Sequence, residues 1–403
     1  MPALIRGWIA VGLGKTDLEL RALGLLIGLG ILAGLWISLW KIKRSPPLLG
    51  LALFGLNSHV IVFGDSIRAY GLGCLMIVLV TASACIFLKK PSWPRAVWLA
   101  FFSILSVQSL YHNAVLVGAI CIAAMAVCAC RKNWRAVGQV FSAGALAAIS
   151  LLPYVPIILN GRKASAVLRT GLRRSRFFAQ FTDSLGFPIE QYIYVWALLT
   201  LFIVACAVIL LIRNSKISEA ASGKTVANDL CLFAGITLPV ALAGFCIFLW
   251  CAALPGQSWY FLPVMAVAVT CFDVARPKLP GRWRAAFFGF VAATALISIP
   301  IANHDLHYRF TNMDIQTRQL SERVSPKDYV IVVPWFCGIS FAHYFKDSTL
   351  WTTLPPIADH SVHRYDLVRI QLQNTNANQP VLEQISKTLR SGHHVWILAA
   401  QGW

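Results

Sequence analysis

Charge is scarce in this sequence, and negative charge is scarcest. Of 403 residues, 13% are charged and 16 are acidic. A soluble domain carries about 25% charged residues, so the deficit excludes a soluble enzyme and a disordered chain. No Cys-x-x-Cys pair occurs among the 11 cysteines. That leaves no zinc site to propose and no disulfide framework of a small secreted domain. Nearly all the cysteines sit inside apolar runs, as in Cys128-Ala129-Cys130, where Cys acts as a small hydrophobe. A Gly-rich phosphate loop and a Ser-His-Asp elbow are also missing.

What is present is apolar sequence. The chain is 58% hydrophobic with a mean hydropathy of +0.67. This is the composition of a polytopic membrane protein. The formal net charge of +19 does not point to nucleic acid, because most Lys and Arg stand in short clusters between apolar runs. A helix needs roughly 20 apolar residues to cross a bilayer core of about 30 Å, and that window yields about ten spans. They fall near 21–40, 47–63, 70–88, 96–110, 114–130, 137–159, 190–212, 229–253, 259–275 and 284–302. The stretch 1–14 is apolar but short and carries Arg6; it reads neither as a span nor as a signal peptide.

Alternate loops hold the cations. They are Lys41, Lys43 and Arg44; Lys89, Lys90 and Arg95; Arg131, Lys132 and Arg135; Arg213, Lys216 and Lys224; and Arg276, Lys278, Arg282 and Arg284. Positive charge stays inside, so these loops are expected in the cytoplasm. The N-terminal 20 residues, the turns 64–69, 111–113 and 254–258, the segment 160–189 and everything after 302 are then outside. Segment 160–189 breaks the pattern with Arg162, Lys163, Arg169, Arg173, Arg174 and Arg176. The spacing of Arg169, Arg173 and Arg176 puts three guanidinium groups on one helical face. Two compatible readings stand: a basic helix resting on anionic headgroups, and a phosphate-binding surface above a cavity.

Several outer residues carry chemistry. Asp65, Arg68 and Tyr70 place an acid, a base and a phenol within six residues. They read equally as an ion pair beside a belt tyrosine, or as Arg68 on a lipid phosphate with Asp65 orienting it. His112, in the turn Tyr111-His112-Asn113, is expected near the Asp65 loop. It is a general base, a phosphate contact or a plain turn residue. Asn57, Ser58 and His59 lie at membrane depth, where helix-packing hydrogen bonds are favoured over ligand binding. Thr16 and Glu19 spell a capping box that opens the first span. Trp259-Tyr260 before Pro263 reads as an aromatic belt.

The tail, 303–403, turns polar and mixed. The pattern predicts a helix over 305–324, strands at 328–334 and 394–399, and helices at 339–345 and 379–391. That order suggests a small α/β domain outside the membrane, separate from a transmembrane domain spanning 1–302. His360 and His363 read as ordinary loop residues beside Pro355-Pro356.

Three stretches carry a family likeness: Leu18-Glu19-Leu20-Arg21-Ala22-Leu23, Gly64-Asp65-Ser66-Ile67-Arg68-Ala69-Tyr70-Gly71-Leu72, and Trp259-Tyr260-Phe261-Leu262-Pro263. On them, and on its tail, the chain resembles membrane glycosyltransferases of the C superfold. These are the family-39-like group related to protein O-mannosyltransferases and the lipid A aminoarabinose transferase. In the third stretch Trp259 stands where the family more often has Arg. The resemblance implies a sugar held on a polyprenyl phosphate at the outer face of a bacterial inner membrane. An outer acidic residue acts as base, and the sugar passes to an acceptor glycan, lipid or protein while cations stabilise the leaving phosphate. Arg68 and Tyr70 match the hairpin positions. A divalent metal is compatible with such a reaction. The family's first span and first outer loop, with its usual acid, have no counterpart here. Either the start lies too late or the copy is degenerate, with Asp17 or Glu19 as substitutes. Two other classes remain in play: a flippase for a lipid-linked glycan, and a non-catalytic subunit with the same fold.

Overall fold

A computed structural model describes residues 2–14, 16–64, 68–157, 174–216, 226–252, 256–277, 280–307 and 312–399. The chain divides into two compact units, one of residues 1–155 and 170–307, the other of residues 156–169 and 308–403.

The first unit is helical. In chain order it holds α1 (Pro2–Ala10), α2 (Asp17–Lys43), a π-helical turn (Gly50–Gly55), α3 (Ser58–Gly64), α4 (Ala69–Lys89), α5 (Trp93–Ser109), α6 (Asn113–Cys130) and α7 (Trp134–Ile149). It continues with α8 (Arg174–Leu185), α9 (Tyr192–Lys216), α10 (Val226–Ala252), a short 3-10 turn (Ser258–Phe261), α11 (Leu262–Ala275) and α12 (Gly281–Leu306). Among the described residues, eight helical stretches are long and apolar enough to cross a membrane: Asp17–Lys43, Ala69–Lys89, Asn113–Cys130, Trp134–Ile157, Tyr192–Arg213, Val226–Ala252, Ser258–Ala275 and Gly281–Leu306. Each coincides with an expected span. Of the other two expected spans, 96–110 is the 17-residue α5.

The remaining one, 47–63, differs from expectation. It is not one helix but the π-helical turn followed by α3, with the break at Asn57. The Asn57 side chain accepts from the His59 backbone N–H at 2.9 Å, the local bond by which Asn competes with helix continuation.

Sequence chemistry sets the helix ends. Thr16 caps α2 and Glu19 reaches back, the expected capping box, and Pro46-Pro47 prevents continuation beyond Arg44, which is left-handed at φ 56°. Cations of the basic loops satisfy orphan carbonyls at helix C-termini. Lys43 Nζ donates to Val274 O at 3.0 Å at the end of α11. Lys89 donates to Ile42 O at 2.9 Å, and Arg95 to Ile86 O at 3.1 Å. Arg131 donates to Leu88 O and pairs with Asp229. Asp273, fully buried on α11, accepts from the Leu49 and Gly50 backbone N–H groups and caps the π-helical turn.

Helix α11 sits at the centre, against α2, α4 and α10. Phe261 and Phe272 on its span are buried together with Leu35, Leu53, Ile77, Phe87, Phe233 and Phe245. By contrast, Leu198 and Leu201 on α9 and Leu296 on α12 are about two-thirds exposed or more, as lipid-facing side chains are. Cys74, Cys85, Cys121, Cys128 and Cys271 are buried free thiols within the bundle.

The second unit holds α13 (Met313–Ser321), β1 (Tyr329–Val333), α14 (Gly338–Tyr344), β2 (Leu350–Thr353), α15 (Tyr365–Gln373), α16 (Gln379–Arg390) and β3 (Val395–Ala399). The strands form a parallel sheet in the order β2-β1-β3. Met313, Leu320, Phe341 and Phe345 pack on Val330, Val332 and Leu398, while Val381 and Ile385 pack on Tyr329, Ile331 and Val395. The two faces of the sheet are therefore covered by different helices. The expected helix over 305–324 is two pieces, the last turn of α12 and then α13, and β2 and α15 were not anticipated.

Candidate functional site

The break at Asn57 organises one end of the bundle. Asn57 Nδ2 donates to Ser184 O on α8 at 3.1 Å. Ser58 Oγ donates to the Asp305 carboxylate on α12. His59 Nε2 lies 3.1 Å from Asp183 Oδ2 on α8. The packing role expected for these three polar residues is what the structure displays, and His59 gains an acidic partner as well.

Helix α8 is fastened here by its sequence period. Positions 177, 180, 181 and 184 share a face. Phe177 and Phe181 meet Phe261 edge-on at 5.5 and 5.1 Å. Gln180 Oε1 accepts from the Ser258 backbone N–H at 3.0 Å. The opposite side is open, with Phe178 exposed. The hydrogen bond from His59, helped by one from the Ser258 hydroxyl and opposed by partial burial, holds the Asp183 carboxyl below the usual carboxylate range. It is therefore ionised at neutral pH.

From Asp183 a chain of rings crosses the site. His59 neighbours Phe63 at 6.2 Å, and Phe63 neighbours Trp259 at 4.8 Å. Trp259 abuts Tyr260 at 6.2 Å. Tyr70 lies 6.2 Å from both Tyr260 and His112. His112 is buried against Phe245, Phe248 and Tyr260, and its Nε2 has no hydrogen-bond partner. Burial pushes its pKa down to about 4, so the imidazole is neutral at neutral pH. Asn113 fixes that turn by donating to Gly73 O and Ser106 Oγ, both at 3.0 Å.

Among the expected site residues, Tyr70 and His112 are thus brought into ring contact. Arg68 is the exposed residue that precedes α4. Asp65, Arg169 and Arg173 lie outside the described residues, and Arg176 falls in α8 with its side chain outside them. Sequence reasoning missed Asp183. A signal was available: no acidic residue stands between Asp65 and Asp183.

Beside the site, an apolar cavity of about 380 Å³ runs between α9, α10 and α11, lined by Phe181, Trp196, Thr200, Leu238, Phe261 and Met265. Phe181 and Phe261 belong to both. Among the described residues no group of three or more His, Cys, Asp and Glu is placed to hold a metal ion. No protein-family model matches the chain, and no curated protein matches it.

Proposed function

We propose that this protein is a membrane glycosyltransferase that moves a sugar from a polyprenyl-phosphate donor to an acceptor hydroxyl on the outer side of a bacterial inner membrane. The observation that carries the reading is the His59–Asp183 pair, joined through Phe63, Trp259 and Tyr260 to Tyr70 and His112 at one end of an apolar bundle. The apolar cavity beside it suits the isoprenoid chain.

The chemistry balances with this chain's own residues. The acceptor O–H gives its proton to the Asp183 carboxylate, and the freed oxygen pair forms the bond to the sugar's anomeric carbon. The bond from that carbon to the phosphate oxygen breaks, and its electron pair leaves with the polyprenyl phosphate. His59 orients Asp183 by holding one carboxylate oxygen. Arg68, exposed beside Tyr70, stabilises the charge gathering on the phosphate.

The test is transfer from labelled polyprenyl-phosphate sugars by protein reconstituted in vesicles. Asp183→Asn keeps the shape of the site and removes the base. Loss of a general base lowers kcat by about 10²–10⁴-fold. Transfer at the full rate by Asp183→Asn overturns the assignment. One observation favours a second reading, a flippase: the interruption at Asn57 resembles the discontinuous helices of transporters. Movement of labelled glycolipid across vesicles with no new glycosidic bond supports that reading instead.

A further inference from the structure

The turn between α8 and α9 encloses a cavity of about 550 Å³, within the range of about 300–1,000 Å³ typical of small-ligand sites. Its wall is continuous in sequence, running from Ala179 to Tyr194. Five residues give it character: Thr182, Asp183, Glu190, Gln191 and Tyr194. The turn is tight, because a Cβ on Gly186 would come within 2.9 Å of Thr182 O and 3.2 Å of Glu190 Cα. Gly186 lets the chain double back so that Asp183 and Glu190 line one space.

The lining mixes hydroxyl, carboxylate and amide groups with an aromatic ring and aliphatic patches at Ala179 and Ile193. Carboxylates and amides bind adjacent hydroxyls, and a ring takes the apolar face of a sugar. Two carboxylates repel phosphate and carboxylate groups at close range. In a chain of net charge +19, this is an unusual place to find them together. The other described carboxylates of the helical unit are engaged within it. Asp229 is held by Arg131, Asp273 by backbone N–H groups and Asp305 by Ser58, and Asp17 and Glu19 open α2.

We propose that the α8–α9 cleft is the acceptor site and that it takes a neutral, polyhydroxylated sugar. As an acceptor site this rests on the transferase reading. It places an acceptor hydroxyl against Asp183, the residue given the role of base. Glu190 and Gln191 hold neighbouring hydroxyls, and Tyr194 supports the ring.

The experiment uses the full chain in lipid nanodiscs prepared without glycoside detergents. Saturation-transfer NMR follows methyl β-glucoside, methyl β-galactoside and methyl α-mannoside, with glucose 6-phosphate as the charged comparison. At least one neutral glycoside is expected to bind, and glucose 6-phosphate at least tenfold more weakly. Glu190→Gln and Tyr194→Leu are each expected to weaken binding about tenfold, one lost hydrogen-bonding or stacking contact. The proposal is overturned if none of the three glycosides binds, if glucose 6-phosphate binds as well as they do, or if both variants bind like the unaltered chain. Binding that depends on Glu190, in protein that transfers no sugar from any donor, keeps the sugar cleft and removes the transferase reading.

Discussion

Asp328 closes the start of the parallel sheet, and its removal should be felt locally and strongly. It is 3% exposed, and its carboxylate accepts from Ser325 N–H at 2.9 Å, His394 N–H at 2.8 Å and the Trp396 indole N–H at 3.0 Å. These bonds tie the entry of β3 to the entry of β1. Asp328→Ala leaves three partly buried donors without their acceptor. At about 1 kcal/mol each, the low end for such groups, the loss is about 3 kcal/mol, or roughly a hundredfold in local opening. Hydrogen exchange on the intact protein should show that loss in peptides covering 325–333 and 393–399, and none in α4 or α6. Burial pushes the Asp328 carboxyl up, but the bonds from Ser325, Trp396 and His394 outweigh it and hold it below its ordinary value. A depressed carboxyl gives stability that is present above its unfolded value of about 3.9 and is lost as pH falls through the folded value. Protection should therefore be flat from about pH 8 to 5 and decline below about pH 4, and the decline should be smaller in Asp328→Ala. Unchanged protection in the variant at neutral pH would refute the reasoning.

Other perturbations have equally definite outcomes. A Cβ on Gly71 would lie 1.7 Å from Gly64 O, so Gly71→Ala must separate α3 from α4; thermal unfolding in detergent should fall by several degrees, and an unchanged midpoint contradicts the close approach. Arg131→Ala leaves Asp229 uncompensated and should destabilise by about 3–5 kcal/mol, with Arg131→Met plus Asp229→Leu recovering most of it; equal loss in single and double variants argues against the pair. His112→Phe removes a neutral, unpartnered imidazole from an aromatic nest and should shift stability by less than about 1.5 kcal/mol, because the volume is nearly kept. Transfer by that variant separates a reacting imidazole from one that only packs, since only the former loses activity at unchanged stability.

The sequence was legible where one physical rule acted alone. Runs of apolar residues longer than a bilayer is thick located the eight long helical stretches, and Thr16 with Glu19 located the start of α2. In the tail, Tyr329–Val333 and Val395–Ala399 were visible because each is a continuous apolar run of five residues. Legibility failed where tertiary contacts decided. The bond that ties Asn57 to Ser184, 127 residues away, lies in no local window. The strand β2 is only four residues, two of them Thr, so it lacks the apolar run that marks β1 and β3. Asp183 is one acidic residue in a basic stretch. Its meaning came from His59, which approaches from a different hairpin. The Lys and Arg clusters were read as topology markers, yet Lys43, Lys89, Arg95 and Arg131 also bind helix-terminal carbonyls, a second use of the same charge.

The most direct test is to place the purified protein in vesicles with a radiolabelled polyprenyl-phosphate sugar and a glycoside acceptor. Release of polyprenyl phosphate in step with a new glycosidic bond, both abolished by Asp183→Asn, is the expected result. Donor that crosses the bilayer intact, or a bond formed equally well without the Asp183 carboxylate, would contradict the assignment.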